Sequence, residues 1–264
     1  MSGNQELVLA HKDRLGEAIA KGWVDFWYQP KVDLRTKTLA GVESLARLSH
    51  PERGMLPPGE FLTGAGPESL AELSNAAVVS ALRAANRFMS YRVNIKVAVN
   101  VASDALTSLS VDRWIRQYAP TKANWSGMIL DLSEEHVARN FEDVRTIAEE
   151  FQAYKVRFAI DDFGGGHLPF AKLSELPLAE LKIAREVVHG CADNLRQASI
   201  ARAVVAIAHE FGATAVGIGI ERQEDLHMLR DIGCDLGQGY LFGQPMPYQT
   251  LDKLLRRRVG AEAA

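Results

Sequence analysis

Two adjacent aspartates, Asp161 and Asp162, follow the apolar run FAI and precede three glycines. Like charges at the end of a strand that reads as buried repel each other, and both must be desolvated. Either the two carboxylates lie in solvent at a turn, or a cation offsets them. Oxygen-rich sites suit Mg²⁺, Mn²⁺ or Ca²⁺, and hydrolysis of a phosphate ester by metal-activated water is the chemistry that follows.

Other polar residues stand at the ends of separate predicted strands. In chain order they are Glu43, Asn100, Asp131 with Glu134 just beyond, Lys182, Glu221 and Gln238. Taken singly, an asparagine or a glutamate at a strand end is usually a turn or a helix cap. A single lysine can equally extend to the surface. Taken together, oxygen ligands at matching ends of different strands favour one shared site.

The elements that position these residues alternate between strand and helix. The strands are near-continuous apolar runs, which is typical of a parallel sheet covered on both faces. Six or seven strand–helix units in about 240 residues predict a TIM-like α/β barrel. The doubly wound sheet remains the alternative, although no G-x-G-x-x-G turn supports it. We also expect one long helical region from Glu60 to Ser90 and a late strand over residues 213–221.

The first two strands depart from this repeat. VDFWYQPKVDL and LAGVESLARL are joined only by the short turn RTKT. Because so short a connection reverses the chain, the two strands are predicted to be antiparallel.

The composition excludes several classes of protein. The chain has 264 residues, of which 47% are hydrophobic and 24% charged, and a net charge of −3. It carries no basic patch typical of a nucleic-acid-binding protein, and its two cysteines have no metal-type spacing. The N-terminal residues read as an amphipathic helix and not as a signal peptide, and no apolar run approaches the ~20 residues of a membrane span. We therefore expect a cytoplasmic protein without nucleic-acid or membrane partners.

Longer motifs resemble a known family. The stretch YQPKVDLRTKTLAGVESLARLSHPERG resembles the opening of EAL domains, bacterial phosphodiesterases that act on cyclic di-GMP. Glu43-Ser44-Leu45 stands at their Glu-Ala-Leu signature, within an E-x-L-x-R pattern that ends in Arg47. VNVA, DDFGGG, LKIA and GQGYLFGQP follow in the family's order and spacing. The resemblance covers residues 6–255, so we expect residues 1–264 to form a single EAL domain with short extensions.

The resemblance implies a fold, cofactors and site residues. The implied fold is a (β/α)8 barrel with an antiparallel first strand, and the implied cofactors are two Mg²⁺ or Mn²⁺ ions flanking an attacking water that yields linear pGpG. The metal ligands carried over by position are Glu43, Asn100, Asp131, Asp161 and Asp162. Lys182 resembles the residue that orients the water and, with Glu43, Asp161 and Asp162, completes the implied catalytic set. The implied contacts to cyclic di-GMP are Gln29, Glu43, Leu45, Arg47, Asn100 and Gln238. Glu134 resembles the acid that steadies the loop after the paired aspartates.

Several positions depart from the family pattern. Asp131 stands where active members carry glutamate, so its carboxylate is one methylene shorter. Ile218 replaces a glutamate that helps to organise the second metal, and isoleucine neither binds a metal nor accepts a proton. Glu221 lies three residues later, on the opposite face if the strand continues. The loop DDFGTGYSS is here DDFGGGHLP, in which Gly165 adds backbone freedom.

Three functions follow from these matches and departures. The preferred hypothesis is a cyclic di-GMP receptor with weak or no hydrolysis, because Gln29, Leu45 and Arg47 are retained. The first alternative is an active metal-dependent phosphodiesterase, and the second is a protein-interaction module that binds no nucleotide. Family members often form homodimers through the loop and helix after the fifth strand, and the changed loop leaves a homodimer open.

Overall fold

The computed structural model describes residues 14–164 and 166–262. The strands in this part of the chain are β1 Val24–Asp33, β2 Leu39–His50, β3 Gly54–Leu56, β4 Lys96–Asn100, β5 Met128–Ser133, β6 Val156–Phe163, β7 Leu178–Ile183, β8 Thr214–Gly217, β9 Leu236–Gln238 and β10 Met246–Pro247. The α-helices are α1 Arg14–Ala20, α2 Pro58–Phe61, α3 Pro67–Ser90, α4 Val111–Tyr118, α5 Glu134–Arg139, α6 Phe141–Phe151, α7 Phe170–Leu173, α8 Arg185–Val188, α9 Leu195–Glu210, α10 Gln223–Asp231 and α11 Tyr248–Glu262.

Among the described residues, eight strands close into a ring. Its order is β1-β9-β8-β7-β6-β5-β4-β2, and the ring closes where β1 pairs with β2. β1 runs antiparallel to both neighbours, whereas the other pairings around the ring are parallel. The predicted barrel and its antiparallel first strand are therefore confirmed, and the doubly wound alternative is wrong.

The period of two along each strand determines which residues face the inside of the barrel. Three alanines and one isoleucine line its middle as a cluster separate from the main core: Ala98, Ile129, Ala159 and Ala179. Asn100, Asp131 and Asp161 each come two residues after a member of this cluster, so they lie on the same strand faces, one layer nearer the carboxyl ends. The main hydrophobic core lies outside the ring, between strands and helices.

A buried ion pair lies in the opposite end of the barrel. Lys31 Nζ donates to Glu180 Oε2 at 2.5 Å, and both side chains are almost fully buried. The interior is thus polar at both ends and apolar between them.

Some predicted element boundaries are wrong, and local backbone chemistry explains them. The expected helix over Glu60 to Ser90 is two helices, because Gly64 takes a left-handed φ of 80° and Pro67 begins α3. The strand expected over 213–221 ends at Gly217, and Gly219 has φ 72°. No helix among the described residues is long and apolar enough to span a bilayer. The predicted barrel start at residue 6, the N-terminal amphipathic segment before residue 14 and Gly165 lie outside the described residues.

Candidate functional site

The polar residues at the strand ends do converge. β4 and β5 pair Asn100 with Asp131, and β5 and β6 pair Ser133 with Asp161. Glu43 on β2 is opposite Gln29 on β1. Because parallel neighbours bring their carboxyl ends to one edge, these side chains meet at one mouth of the barrel. The position of the cluster agrees with the sequence prediction.

Lys182 lies at the centre of this cluster. Its Nζ lies 2.7 Å from Asp131 Oδ2, 3.5 Å from Glu43 Oε1 and 3.6 Å from Asp161 Oδ1. Only 1% of the residue is exposed, so the interpretation that it extends to the surface is wrong. Burial alone would lower the pKa of Lys182, but attraction to the three carboxylates raises that pKa well above its usual value. Lys182 is therefore an ammonium that the three carboxylates surround.

Asp131 is a buried acid whose pKa is raised. Burial raises its pKa to about 7, against the opposing effect of Lys182. Its Oδ2 accepts the hydrogen bond from Lys182, whereas its Oδ1 is buried with no hydrogen-bond partner in the described structure. Such an acceptor is rare in a native interior and indicates a missing donor or cation.

Glu43 is held by two amides. Asn100 Nδ2 donates to Oε1 at 2.7 Å, and Gln238 Nε2 donates to Oε2 at 2.6 Å. The same Gln238 nitrogen also donates to Gln29 Oε1 at 3.0 Å, and Gln29 Nε2 donates to the Gly243 carbonyl. Burial would raise the pKa of Glu43, but Lys182 and the two amides lower it below its usual value. Glu43 therefore stays ionised although it is buried.

The two aspartates of DDFGGG separate at the end of β6. Asp162 has a left-handed φ of 51°, which is unusual for a residue other than glycine, and its N–H donates to Asp161 Oδ1 at 3.1 Å. Burial and the neighbouring Asp161 charge raise the pKa of Asp162. Asp161 forms an ion pair with Lys182, whereas no ion pair of Asp162 is found in the described structure.

Glu134 joins the following loop to the barrel. Its Oε1 accepts from the N–H groups of His167 and Leu168, at 2.8 and 2.9 Å, and its Oε2 accepts from that of Gly164 at 3.1 Å. Residue Glu134 is 2% exposed. These contacts suit the loop-steadying role that the resemblance implies.

The mouth has two cavities that meet at its centre. The smaller lobe, of about 310 Å³, and the larger lobe, of about 570 Å³, are both lined by Glu43, Leu45, Pro58 and Asp161. The smaller lobe adds Gln29, Arg47, Lys182, Arg185, Ile218, Gly219, Glu221, Gln238, Gly239, Tyr240 and Pro245. The larger lobe adds Asn100, Asp131, His136 and Asp162, together with apolar residues of α2 and α3.

The two lobes differ in charge. The smaller lobe has three cations and three carboxylates along its walls: Arg47, Lys182 and Arg185 against Glu43, Asp161 and Glu221. The larger lobe has four carboxylates, and none of its described lining residues is Lys or Arg. The smaller lobe therefore offers guanidinium donors to a phosphate, whereas the larger lobe offers it carboxylates, three of which already contact Lys182.

The structure corrects the expected position of Glu221. It does not lie on the far face of a strand from Ile218, because β8 ends at Gly217 and the chain turns at Gly219. Ile218 and Glu221 instead line the same lobe, where Glu221 pairs with Arg185. Sequence reasoning also missed Arg185 and Tyr240 as lining residues. Only their closeness in sequence to predicted site residues could have indicated them. Arg185 follows Lys182 by three residues, and Tyr240 follows Gln238 by two.

The donor chemistry of the mouth fits a divalent cation. Glu43, Asn100, Asp131 and Asp161 offer carboxylate and amide oxygens, the ligands that Mg²⁺ and Mn²⁺ prefer, and the unpartnered Asp131 Oδ1 is available. In the described part of the chain, no three Asp, Glu, His or Cys side chains stand close enough together to hold a metal ion. The acids instead surround the Lys182 ammonium.

Comparisons with known proteins agree with this geometry. The sequence profile of the EAL domain family matches residues 12–245. Cyclic di-GMP phosphodiesterase PA2567 of Pseudomonas aeruginosa is 31% identical over 232 residues, which are 87% of this chain and 40% of that protein. The solved structure titled PaMucR phosphodiesterase, c-di-GMP complex, is 28% identical, with a TM-score of 0.81, 93% coverage of this chain and 99% of that one.

A more distant structure has the same fold. BlrP1 of Klebsiella pneumoniae, in a complex with manganese and cyclic di-GMP, is 22% identical with a TM-score of 0.73, over 85% of this chain and 56% of that one. The chain spans less than half the length of the first curated relatives it matches. Since the family profile covers most of the chain and the barrel mouth carries the polar residues in the family's order, the chain belongs to the EAL domain family.

Proposed function

We propose that this chain binds cyclic di-GMP at the barrel mouth and acts as a receptor with weak or no hydrolysis. The observation that carries the proposal is the apolar side chain of Ile218 in the wall of the smaller lobe. Binding needs the lobes and their charges, whereas hydrolysis also needs a group that accepts the proton of the attacking water.

The shape of the mouth supports the choice of ligand. Cyclic di-GMP has two phosphodiesters and two flat bases related by a twofold axis, and the mouth has two lobes that meet at Glu43 and Asp161. Leu45 and Pro58 lie where the lobes meet and offer apolar contacts to bases, while Arg47 offers a guanidinium to a phosphate. The curated relative and the solved structure named above as phosphodiesterases support the same ligand class.

The implied cation has ligands in this chain. Glu43, Asp131 and Asp161, with Asn100 as an amide ligand, would hold a Mg²⁺ or Mn²⁺ ion only after the carboxylates move from Lys182 towards one another. Such an ion supplies a Lewis acid and lowers the pKa of its water. Around it, Asn100 and Gln238 keep Glu43 ionised, and Lys182 holds a proton at Nζ, from which it donates to a carboxylate or a phosphate oxygen.

The groups opposite Asp161 limit hydrolysis. Without a metal ion, Lys182 holds its proton, because the charges of Asp131, Asp161 and Glu43 raise its pKa above its usual value. Ile218 offers neither an oxygen ligand nor a base. Glu221 lines the same lobe but pairs with Arg185 and makes no ion pair with Lys182 among the described residues. The residues present therefore favour retention of the dinucleotide over its cleavage.

Two assays on the wild-type chain test the proposal. Calorimetry with cyclic di-GMP, in Mg²⁺ and in EDTA, measures binding, and chromatography of pGpG formed with Mn²⁺ measures hydrolysis. We expect binding with little or no turnover. Rapid multiple-turnover pGpG formation would make the chain an active phosphodiesterase, and absence of binding in both buffers would favour a protein-interaction module.

A further inference from the structure

We propose that Arg185 is a phosphate contact of the smaller lobe, where it and Arg47 hold one phosphate of cyclic di-GMP without a divalent cation. This inference rests on the proposed function and adds to it a residue and a mode of binding. It concerns the smaller lobe alone.

The position of Arg185 is the first step of the argument. Arg185 begins α8 two residues after β7 ends, so it lies at the same edge of the barrel as Lys182. Its side chain lines the smaller lobe and is 64% exposed. Unlike Lys182, which is buried among three carboxylates, Arg185 is accessible to a ligand that enters from solvent.

Gly219 provides the space that Arg185 occupies. A Cβ added at residue 219 would lie 2.5 Å from Arg185 Cγ and 3.0 Å from its Cδ. Gly219 also has a φ of 72°, which side chains other than glycine rarely adopt. Because Gly219 has no side chain, the methylene groups of Arg185 can lie against the lobe wall at this position, next to Ile218.

The present partner of Arg185 is exchangeable. Its Nη2 donates to Glu221 Oε1 at 2.6 Å, and the Glu221 side chain is 33% exposed. Exposed ion pairs of this kind contribute little to stability, because water and salt screen them. A phosphate can therefore compete with Glu221 for the guanidinium, which has five N–H donors in a planar fork.

Arg47 is the second cation at this wall. Its Nη1 donates to the Ala46 carbonyl at 2.8 Å, and its guanidinium lies 5.7 Å from the Trp27 ring centroid. These contacts hold Arg47 in place at the lobe that Arg185 also lines. Two guanidiniums on one cavity suit an anion that carries a full negative charge.

Calorimetric titration with cyclic di-GMP in EDTA tests the inference, using wild type, Arg185→Ala, Arg185→Lys and the control Arg145→Ala. Arg145 is a partly exposed, ion-paired arginine that lines neither lobe. We expect wild type and R145A to bind alike, R185A to bind about tenfold more weakly, and R185K to recover part of the loss. We also expect affinity to depend less steeply on salt in R185A, a change that a purely structural role would not produce.

The outcomes separate this inference from the proposed function. Binding of the wild type in Mg²⁺ but not in EDTA would overturn the inference and leave the function standing. Equal affinities of R185A and wild type in EDTA would overturn it as well. Absence of wild-type binding in both buffers would instead refute the function on which it rests.

Discussion

The smaller and larger lobes of the barrel mouth meet at Glu43 and Asp161, yet their other walls differ in charge. The smaller lobe is lined by Arg47 and Arg185 and by the apolar side chain of Ile218. The larger lobe has Asp131 and Asp162 beside apolar side chains, and none of its described lining residues is Lys or Arg. The difference separates two tasks: the smaller lobe offers arginine donors to a phosphate, and the larger one offers carboxylates to a cation.

Lys182 contacts carboxylates of both lobes, namely Glu43, Asp131 and Asp161. Its replacement should therefore have the largest effect on the stability of the fold. In Lys182→Met, three carboxylates lose their shared buried partner. We expect the free energy of unfolding at pH 7.5 to fall by about 3–5 kcal/mol in urea titrations without metal. Added Mg²⁺ should restore part of the loss, since a cation then replaces the ammonium.

Lys31→Met is the matched control for this variant. Lys31 is equally buried and pairs with Glu180 at the opposite end of the barrel. The Lys31→Met variant should also destabilise the fold, but added Mg²⁺ should not restore the stability of this variant. Equal rescue of both variants by Mg²⁺ would contradict a special role for Lys182 at the mouth.

The second prediction concerns the pH dependence of the larger lobe. Asp131 has a folded pKa of about 7, above the ordinary value, so the folded chain binds a proton that the unfolded chain has released. In EDTA, this group should therefore lower the free energy of unfolding as pH rises from about 5 to 7.5, by at most about 2.5 kcal/mol, and the free energy should change little above pH 7.5. Urea titrations across this range should show a shallower fall for Asp131→Asn. The same slope in both proteins would show that Asp131 is not the group responsible.

A third prediction concerns an acid introduced into the smaller lobe. In Ile218→Glu, a carboxylate stands at the position where the resemblance to EAL domains implies one, in the lobe that Glu221 also lines. With Mn²⁺, we expect pGpG formation to rise by about tenfold or more, because a proton acceptor and metal ligand worth at least ~1.4 kcal/mol returns. Ile218→Gln has nearly the same shape without the charge and should stay as slow as wild type. Equal rates for all three proteins would place the catalytic defect elsewhere, with Asp131→Glu as the next variant to examine.

The smallest effect is expected from Glu221→Gln. This change weakens the pairing of Arg185 and leaves its guanidinium free for phosphate. Affinity for cyclic di-GMP in EDTA should rise by about threefold in calorimetry. Glu175→Gln, which weakens the Arg145 pair away from the mouth, should leave affinity unchanged. A loss of affinity in E221Q would mean that Glu221 itself supports the ligand.

The barrel and its polar mouth could be predicted because they depend on local patterns. Apolar runs mark β4, β5 and β6, and the period of two places Asn100, Asp131 and Asp161 on one side of each strand. The turn RTKT is too short for anything but an antiparallel pair, and the structure has that pair. These features need no knowledge of distant contacts.

The wall of the smaller lobe could not be predicted in the same way. Ile218 and Glu221 were expected on opposite faces of one strand. The strand instead ends at Gly217, and the chain turns at Gly219, which has a left-handed φ. Arg185 pairs with Glu221, 36 positions away in the chain, and no local pattern indicates that contact. The burial of Lys182 likewise depends on acids from three other strands, which the stretch LKIA does not reveal.

The central claim is that the mouth retains cyclic di-GMP but lacks the means to cleave it. A single-turnover experiment tests this most directly: the chain, in excess over cyclic di-GMP and with Mn²⁺ present, is incubated, denatured and analysed by chromatography. We predict that the nucleotide is recovered as intact cyclic di-GMP, although it is bound before denaturation. Recovery as pGpG within seconds would contradict the claim and would identify the mouth as a working phosphodiesterase site.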